Sequence, residues 1–217
     1  MRANLGQQVF DYLVDNIYEM DILPGSRLGV GEIADQLGIS RSPVRDALHL
    51  LVAEGLVEYG SVSGYQVVEI NRKYIEDVFT VRRALEPVAL RLAAVELDEA
   101  QVKEICATWH KLRENQPPIN TDTLDTHIKA DDDFHRKIGD LSGNQVLNDL
   151  MRKIIYKATW IRRWVYSNDI PATHLSTIAD EHLEILNALR QNDIDRAVQL
   201  LDEHLIQGQA KALAFIQ

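Results

Sequence analysis

A mainly α fold in two domains is what the sequence predicts. Apolar residues recur at spacings of three and four over nearly the whole chain, and strand-like patterning is confined to residues 56–70. At 217 residues and 46% hydrophobic content the chain exceeds one average domain and supplies apolar material for two small cores.

From Leu5, the residues Val9, Leu13, Ile17 and Met20 form one helical stripe, ended by the turn Leu23-Pro24-Gly25-Ser26. Gly31 to Leu37 reads as a short amphipathic helix closed by Gly38, in a position suited to a left-handed C-cap. Ser40 is expected to cap a third helix. There Pro43 lies in the first turn, where a missing N–H costs nothing, and Val44, Leu48 and Leu51 form the buried face. Leu56 to Tyr59 and Tyr65 to Ile70 are short, β-rich and separated by Gly60-Ser61-Val62-Ser63-Gly64, so they read as a hairpin. Helix, helix, turn, helix, hairpin is the order of a winged helix-turn-helix, assigned to residues 1–70. The boundary is placed at Asn71 to Lys73. Residues 71–217 are expected to be an all-α helical bundle with turns at Leu97-Asp98, Gln116-Pro117-Pro118, Ser142-Gly143-Asn144, Asn168 to Ala172 and Gln191-Asn192-Asp193.

Charge and composition narrow the function. A net charge of −10 argues against a protein that coats nucleic acid non-specifically, because phosphate neutralisation needs a dense Lys/Arg surface. Residues 1–70 carry four arginines against ten acids, so any DNA contact there must be local. No apolar run approaches ~18 residues and the N-terminus lacks an export signal, which reads as cytoplasmic and without a membrane partner. Cys106, the single cysteine, sits in an apolar-patterned stretch and reads as a small buried side chain.

Arg41 and Arg45 lie one turn apart on the wet face of the third helix. The N-terminus of such a helix enters the major groove, and arginine grips guanine or phosphate with two donors. The alternative is a pair of solvated arginines bound to Asp46 or Glu54. The run Leu37-Gly38-Ile39-Ser40-Arg41-Ser42-Pro43-Val44-Arg45-Asp46-Ala47-Leu48 is preceded by Leu23-Pro24-Gly25 and Glu32-Ile33-Ala34, and followed by Leu51, Glu54-Gly55-Leu56-Val57 and Gly64. Over about 65 residues it resembles the GntR-family DNA-binding domain. That resemblance implies that Ser40, Arg41 and Arg45 carry operator contacts and that the wing around Gly64 touches the minor groove or backbone. Two departures bear on affinity: Gly31 stands where relatives often have a DNA-contacting arginine, and the wing lacks their basic residues.

In Asp131-Asp132-Asp133-Phe134-His135, Asp131 and His135 are four apart and project from one helix face, a reach suited to two ligands of one cation. Asp132 is the rival ligand. His182 precedes a turn near Asn192 and His204 follows it; in an antiparallel hairpin the two imidazoles sit roughly 15 and 19 Å from the turn, at similar height. Three imidazoles and a carboxylate suit zinc, nickel, manganese or iron, with zinc the first expectation. The alternatives are an ordinary helix-face histidine and a solvated acidic face. Asp131-x-x-Phe134-His135, Gly143-Asn144-x-x-Leu147, Glu181-His182-x-x-Ile185-Leu186 and His204 resemble the C-terminal FCD domain of the FadR-like GntR subgroup, in its compact variant of about six helices. The resemblance implies that Asp131, His135, His182 and His204 hold the ion. It also brings in Val81-Arg82-Arg83-Ala84-Leu85-Glu86-Pro87, where Arg82 either faces the effector cavity or pairs with Glu86 on the surface. Arg162 and Arg163, between Trp160 and Trp164, either neutralise a ligand carboxylate or line a helix exterior. Asn144 reads as a helix cap, and His49, His110, His127 and His174 read as structural.

The expected protein is a homodimeric, DNA-binding transcriptional regulator of a palindromic operator, controlled by a small organic acid bound at the metal. It is not an enzyme on this reading. The alternatives are a metalloregulator sensing the ion itself, a metal-dependent hydrolase, which would leave residues 1–70 without a purpose, and a sensor of acyl-CoA, against which the intact ligand quartet speaks.

Overall fold

The structure is a computed structural model that describes residues 5–114, 121–166 and 172–216. The chain divides into two compact units, Met1–Asn71 and Arg72–Gln217.

In the first unit α1 (Leu5–Tyr18), α2 (Val30–Leu37) and α3 (Arg41–Ala53) are accompanied by three short strands, β1 (Arg27–Leu28), β2 (Val57–Gly60) and β3 (Gly64–Val67). Antiparallel β3 lies between the other two, with Arg27 opposite Gln66 and Tyr59 opposite Tyr65. The heptad-like stripe of α1 packs on α3: Val9, Leu13 and Ile17 are buried, as are Val44, Ala47, Leu48 and Leu51. Each Val, Ile or Leu among them, withdrawn from water, contributes roughly 1.5–3 kcal/mol. Gly38 takes φ +65° and its N–H reaches the Ala34 and Asp35 carbonyls, so the left-handed turn ends α2 as the sequence required.

Three local features differ from the sequence reading. Met20 adopts φ +65° beyond the end of α1, so the helix stops before the last residue of its apolar stripe. β1 was not foreseen, since two residues are too short to show alternation. Ser40 occupies the N-cap position of α3 but its side chain makes no capping bond. The usual acceptor–donor partnership runs to the N–H three residues on, and that residue is Pro43, which has none.

The second unit contains α4 (Arg72–Glu96), α5 (Glu99–Glu114), α6 (Thr121–Leu141), α7 (Gln145–Tyr166), α8 (Ala172–Arg190) and α9 (Ile194–Leu213). α4 packs against α6, α7 and α9, while α8 packs against α5 and α9. Trp109, Met151, Ile155, Ile185, Leu186 and Leu201 are among its fully buried side chains, and Cys106 is buried with them. Burial pushes the Cys106 thiol upward, which suits an inert core residue. At the α6–α7 turn Gly143 takes φ +65° and the Asn144 carboxamide oxygen accepts from the Leu147 N–H at 3.1 Å, capping α7. At the α8–α9 turn Asn192 takes φ +57°, and Asp193 caps α9 by accepting from the Arg196 N–H. The turn expected at Gln116-Pro117-Pro118 lies outside the described residues, as does all but the last residue of Asn168 to Ala172.

Candidate DNA-reading surface and candidate metal centre

Residues at i, i+4 and i+8 of one helix share a face, and Arg41, Arg45 and His49 lie on the exposed side of α3, opposite its buried apolar stripe. Among the described residues neither arginine forms an ion pair, with Asp46, Glu54 or any other acid. The Arg41 guanidinium lies across Gly31; a Cβ on that glycine would stand 3.6 Å from Arg41 Nη2. That is ordinary van der Waals contact, so a small side chain at position 31 would lie against Arg41 without displacing it. The face continues into the hairpin through His49 and Tyr65, ring centroids 5.9 Å apart, and Tyr65 and Tyr59, 4.8 Å apart. At the wing tip Val62 is 98% exposed and Gly64 takes φ +73°. A Cβ at Gly64 would meet nothing, so its glycine serves the backbone conformation alone. Ser40, exposed and relieved of capping, stands at the start of the same helix.

The second constellation is buried. α6 carries Asp131 and His135 one turn apart, α8 brings His182 and α9 brings His204, and one ligand atom from each lies within 4.8 Å of all the others. Asp131 is the hub: its Oδ2 is 3.4 Å from His135 Nε2, and its Oδ1 is 3.5 Å from His182 Nε2 and 3.8 Å from His204 Nε2. Asp132, the rival, turns away to accept from Thr159 Oγ1 at 2.7 Å and from Arg162 at 3.3 Å.

What each imidazole does with its other nitrogen is informative. His182 Nδ1 is 2.8 Å from the Ile178 carbonyl, His204 Nδ1 is 2.6 Å from Glu181 Oε2, and His135 Nδ1 is 2.5 Å from Glu86 Oε2, the last contact too bent for an aligned hydrogen bond. An acceptor beside Nδ1 puts the proton there and leaves the lone pair on Nε2. Three Nε2 lone pairs thus converge on one carboxylate, and those of His135 and His182 have no hydrogen-bond partner among the described residues. Converging acceptors without donors are costly in a protein interior unless a cation joins them. The quartet therefore fits a divalent ion, through three neutral nitrogens and one oxygen.

Electrostatics favour those protonation states. Burial, helped by neighbouring His204, lowers His182 well below its ordinary value, and burial also lowers His204 despite the Glu181 carboxylate beside it. Burial alone would raise Asp131, but Arg162 and the three imidazoles override it and hold the carboxyl below the usual range. Glu86, fully buried, is held down to about 2 by Arg82 and His135 against the opposing effect of burial. His182 stacks on Trp109, centroids 3.9 Å apart, and meets the Phe134 edge at 4.6 Å, which keeps water from its ring.

A cavity of about 60 Å³ opens beside Asp131 and His204. Arg82, Arg162, Lys211, Tyr166 and Glu181 supply the rest of its polar wall, with apolar side chains such as Phe79 and Val165 completing it. Arg82 does pair with Glu86, Nε to Oε1 at 2.5 Å, but the pair is in the interior and not on the surface, because Glu86 is drawn inward by His135. Its Nη2 is buried without a hydrogen-bond partner. Arg162 forms an ion pair with Asp131, Nη2 to Oδ2 at 2.5 Å, and faces the same cavity, whereas Arg163 turns to Asp125. Sequence reasoning missed Glu86, Glu181 and Lys211 as parts of this site. Their signals were present: Glu86 is four after Arg82, Glu181 adjoins His182, and Lys211 follows His204 by seven, on the same face of α9.

Comparison with known proteins bears on both surfaces. Residues 5–67 match the model of bacterial regulatory proteins of the gntR family, and residues 77–207 match the FCD domain model. The chain is 30% identical to the Nta operon transcriptional regulator of Aminobacter aminovorans, covering 84% of this chain and 82% of that protein. It is 26% identical to the transcriptional repressor RspR of Escherichia coli, covering 93% and 86%. The structure superposes on E. coli McbR/YncC with a TM-score of 0.75 at 24% identity, over 97% of both chains. The metal-free FCD domain of TM0439 superposes with a TM-score of 0.54 at 18% identity, over 67% of this chain and 95% of that one.

Proposed function

We propose, for a chain that belongs to the GntR family and carries an FCD domain, that operator affinity is controlled by a small carboxylate taken up at the Asp131, His135, His182 and His204 centre. The chain is a DNA-binding transcriptional regulator, as its relatives are, and among its described residues no helix is long and apolar enough to cross a membrane. The finer reading is a cytoplasmic homodimer whose two α3 helices enter successive major grooves of a palindromic operator, Ser40, Arg41 and Arg45 making the contacts and the wings around Gly64 adding minor-groove or backbone support.

The observation that carries the effector reading is the convergence of three Nε2 lone pairs and one carboxylate beside a small cavity whose lining includes Arg82, Arg162 and Lys211. Zinc, nickel, manganese or iron suits that donor set, zinc foremost; the bound ion would supply an open Lewis-acidic position for an acid. The chain's own groups do the rest. Arg162 holds Asp131 in place, and Arg82 Nη2 and Tyr166 are positioned to bind a second oxygen of the acid. The cavity admits roughly four to six water-sized positions, which selects a short acid over an acyl chain. Control of DNA binding follows if the acid binds the two arrangements of the dimer unequally. The regulatory identity of the relatives leaves the hydrolase reading without support.

The test is elemental analysis of the purified protein and of a His135→Ala/His182→Ala variant, followed by thermal shifts with short carboxylic acids, with and without chelator. About one ion per chain, lost in the variant, with chelator-sensitive stabilisation by at least one acid is the expected result. A metal-free wild type, or acid stabilisation indifferent to chelator, contradicts it. Stabilisation by the ion alone, weak and reversible, with no response to any acid, favours a sensor of the ion itself.

A further inference from the structure

Three of the four proposed ligands share a connection that His182 lacks. His135 contacts Glu86, whose other oxygen accepts from Arg82 Nε at 2.5 Å. His204 contacts Glu181 Oε2, whose Oε1 accepts from Lys211 Nζ at 3.2 Å. Asp131 is itself the carboxylate, held by Arg162 Nη2 at 2.5 Å. Each chain runs from ligand through carboxylate to a cation, and all three cations line the same cavity. His182 ends instead on the Ile178 carbonyl.

We infer that Glu86 and Glu181 are positioning residues that make metal affinity depend on what occupies the cavity, with Arg82 and Lys211 as the sensing ends. The inference rests on the metal reading above and adds to it a route of coupling. A carboxylate facing Nδ1–H fixes the imidazole tautomer and raises the basicity of Nε2. A cation on the same carboxylate withdraws part of that negative charge. An anion entering the cavity engages the cation, relaxes its hold on the glutamate and returns charge to the histidine. Acid and ion then strengthen each other, and by linkage the effect is reciprocal. Direct coordination of the acid would also couple the two, so the variants must separate the routes.

The experiment titrates zinc into the full-length protein against a chromophoric chelator, with and without acetate, and follows the visible spectrum of the cobalt-loaded protein. Glu181→Gln keeps an oxygen for both neighbours and removes the charge; zinc affinity is expected to fall at least about tenfold with a displaced cobalt band. Glu86→Gln is expected to do the same; because it strips the partner from buried Arg82, its metal-free melting curve is compared, and the partly exposed Glu181 site supplies the independent variant. Lys211→Met frees Glu181 from its cation. It is expected to bind zinc at least as tightly as wild type without acetate and to lose part of the acetate enhancement, while direct coordination alone would leave that enhancement whole. Zinc affinity and cobalt spectrum indifferent to both glutamine variants, no acetate enhancement in wild type, or an undiminished enhancement in Lys211→Met overturns the inference. A wild type that binds no zinc defeats the underlying reading instead.

Discussion

The two functional regions of this chain use arginine in opposite ways. On α3, Arg41 and Arg45 are exposed and without ion pairs among the described residues, so their donors are available to a polyanion from outside. In the helical unit Arg82 is 2% exposed and Arg162 is mostly withdrawn from water, and both are tied to carboxylates that contact metal-ligand candidates or serve as one. The first arrangement keeps its donors for a partner and contributes little to stability. The second commits its charges to one another, so that removing any of them leaves a buried charge uncompensated. Mutations should therefore separate cleanly, binding defects without instability in one region and instability coupled to ligand defects in the other.

The largest effect is expected at the hub. Asp131→Ala removes the carboxylate that faces Arg162 and three imidazoles, and should destabilise the metal-free protein by about 3–5 kcal/mol as well as abolish metal binding; urea unfolding of metal-free protein measures the first. A loss below about 1 kcal/mol would mean that water already reaches Arg162 and that the contrast is overdrawn. Next, Arg45→Ala and Arg41→Ala should each cost about 1–3 kcal/mol of operator affinity and flatten its salt dependence, with melting temperature and metal content unchanged. Operator titrations at several salt concentrations would show it.

Acid should divide the regions too. Folded His182 and His204 lie below their ordinary value of 6.5, so the unfolded chain takes protons first and stability falls as pH drops below about 6.5. Glu86 is lowered from 4.5 to about 2; its contribution is complete above 4.5 and is lost as pH falls towards 2. Denaturant unfolding of the metal-free protein across this range should show a first decline that His182→Phe reduces. An unchanged decline would place its origin elsewhere. The smallest effect belongs to Ser40→Ala: with no capping bond to lose, stability should stay within about 0.5 kcal/mol while operator affinity falls severalfold. A full cap penalty would show that the hydroxyl does bond the helix end in solution.

Legibility differed between the regions for the same physical reason. The DNA-reading unit is local: its helices, caps and hairpin are each set by residues within one turn, and Arg41, Arg45, Gly38 and Gly64 can be placed by counting along the chain. The failures there were the end of α1, which stops before Met20, β1, too short to carry a period, and the Ser40 cap, where Pro43 three residues later was the missed sign. The candidate metal centre joins α6, α8 and α9. The spacing of Asp131 and His135 showed one shared face, but which aspartate pointed inward depended on Thr159 and Arg162, residues 27 and 30 positions away. The spacings of Glu86 from Arg82 and of Lys211 from His204 put each pair on one helix face, but whether that face turned inward depended on packing partners distant in the chain. A buried Arg82–Glu86 pair reads in sequence just like a surface pair, since periodicity gives the spacing of charges and not their depth.

The most direct test of the central claim is the affinity of the full-length protein for the DNA upstream of its own gene, by fluorescence anisotropy, for wild type and His135→Ala/His182→Ala. It is measured with and without the short acid that stabilises the zinc-loaded protein. The acid is expected to shift the wild-type dissociation constant at least about fivefold, in keeping with usual allosteric couplings. No shift is expected in the variant, which retains Arg41 and Arg45. An equal response of both proteins, or no response of a wild type that binds ion and acid, would contradict it.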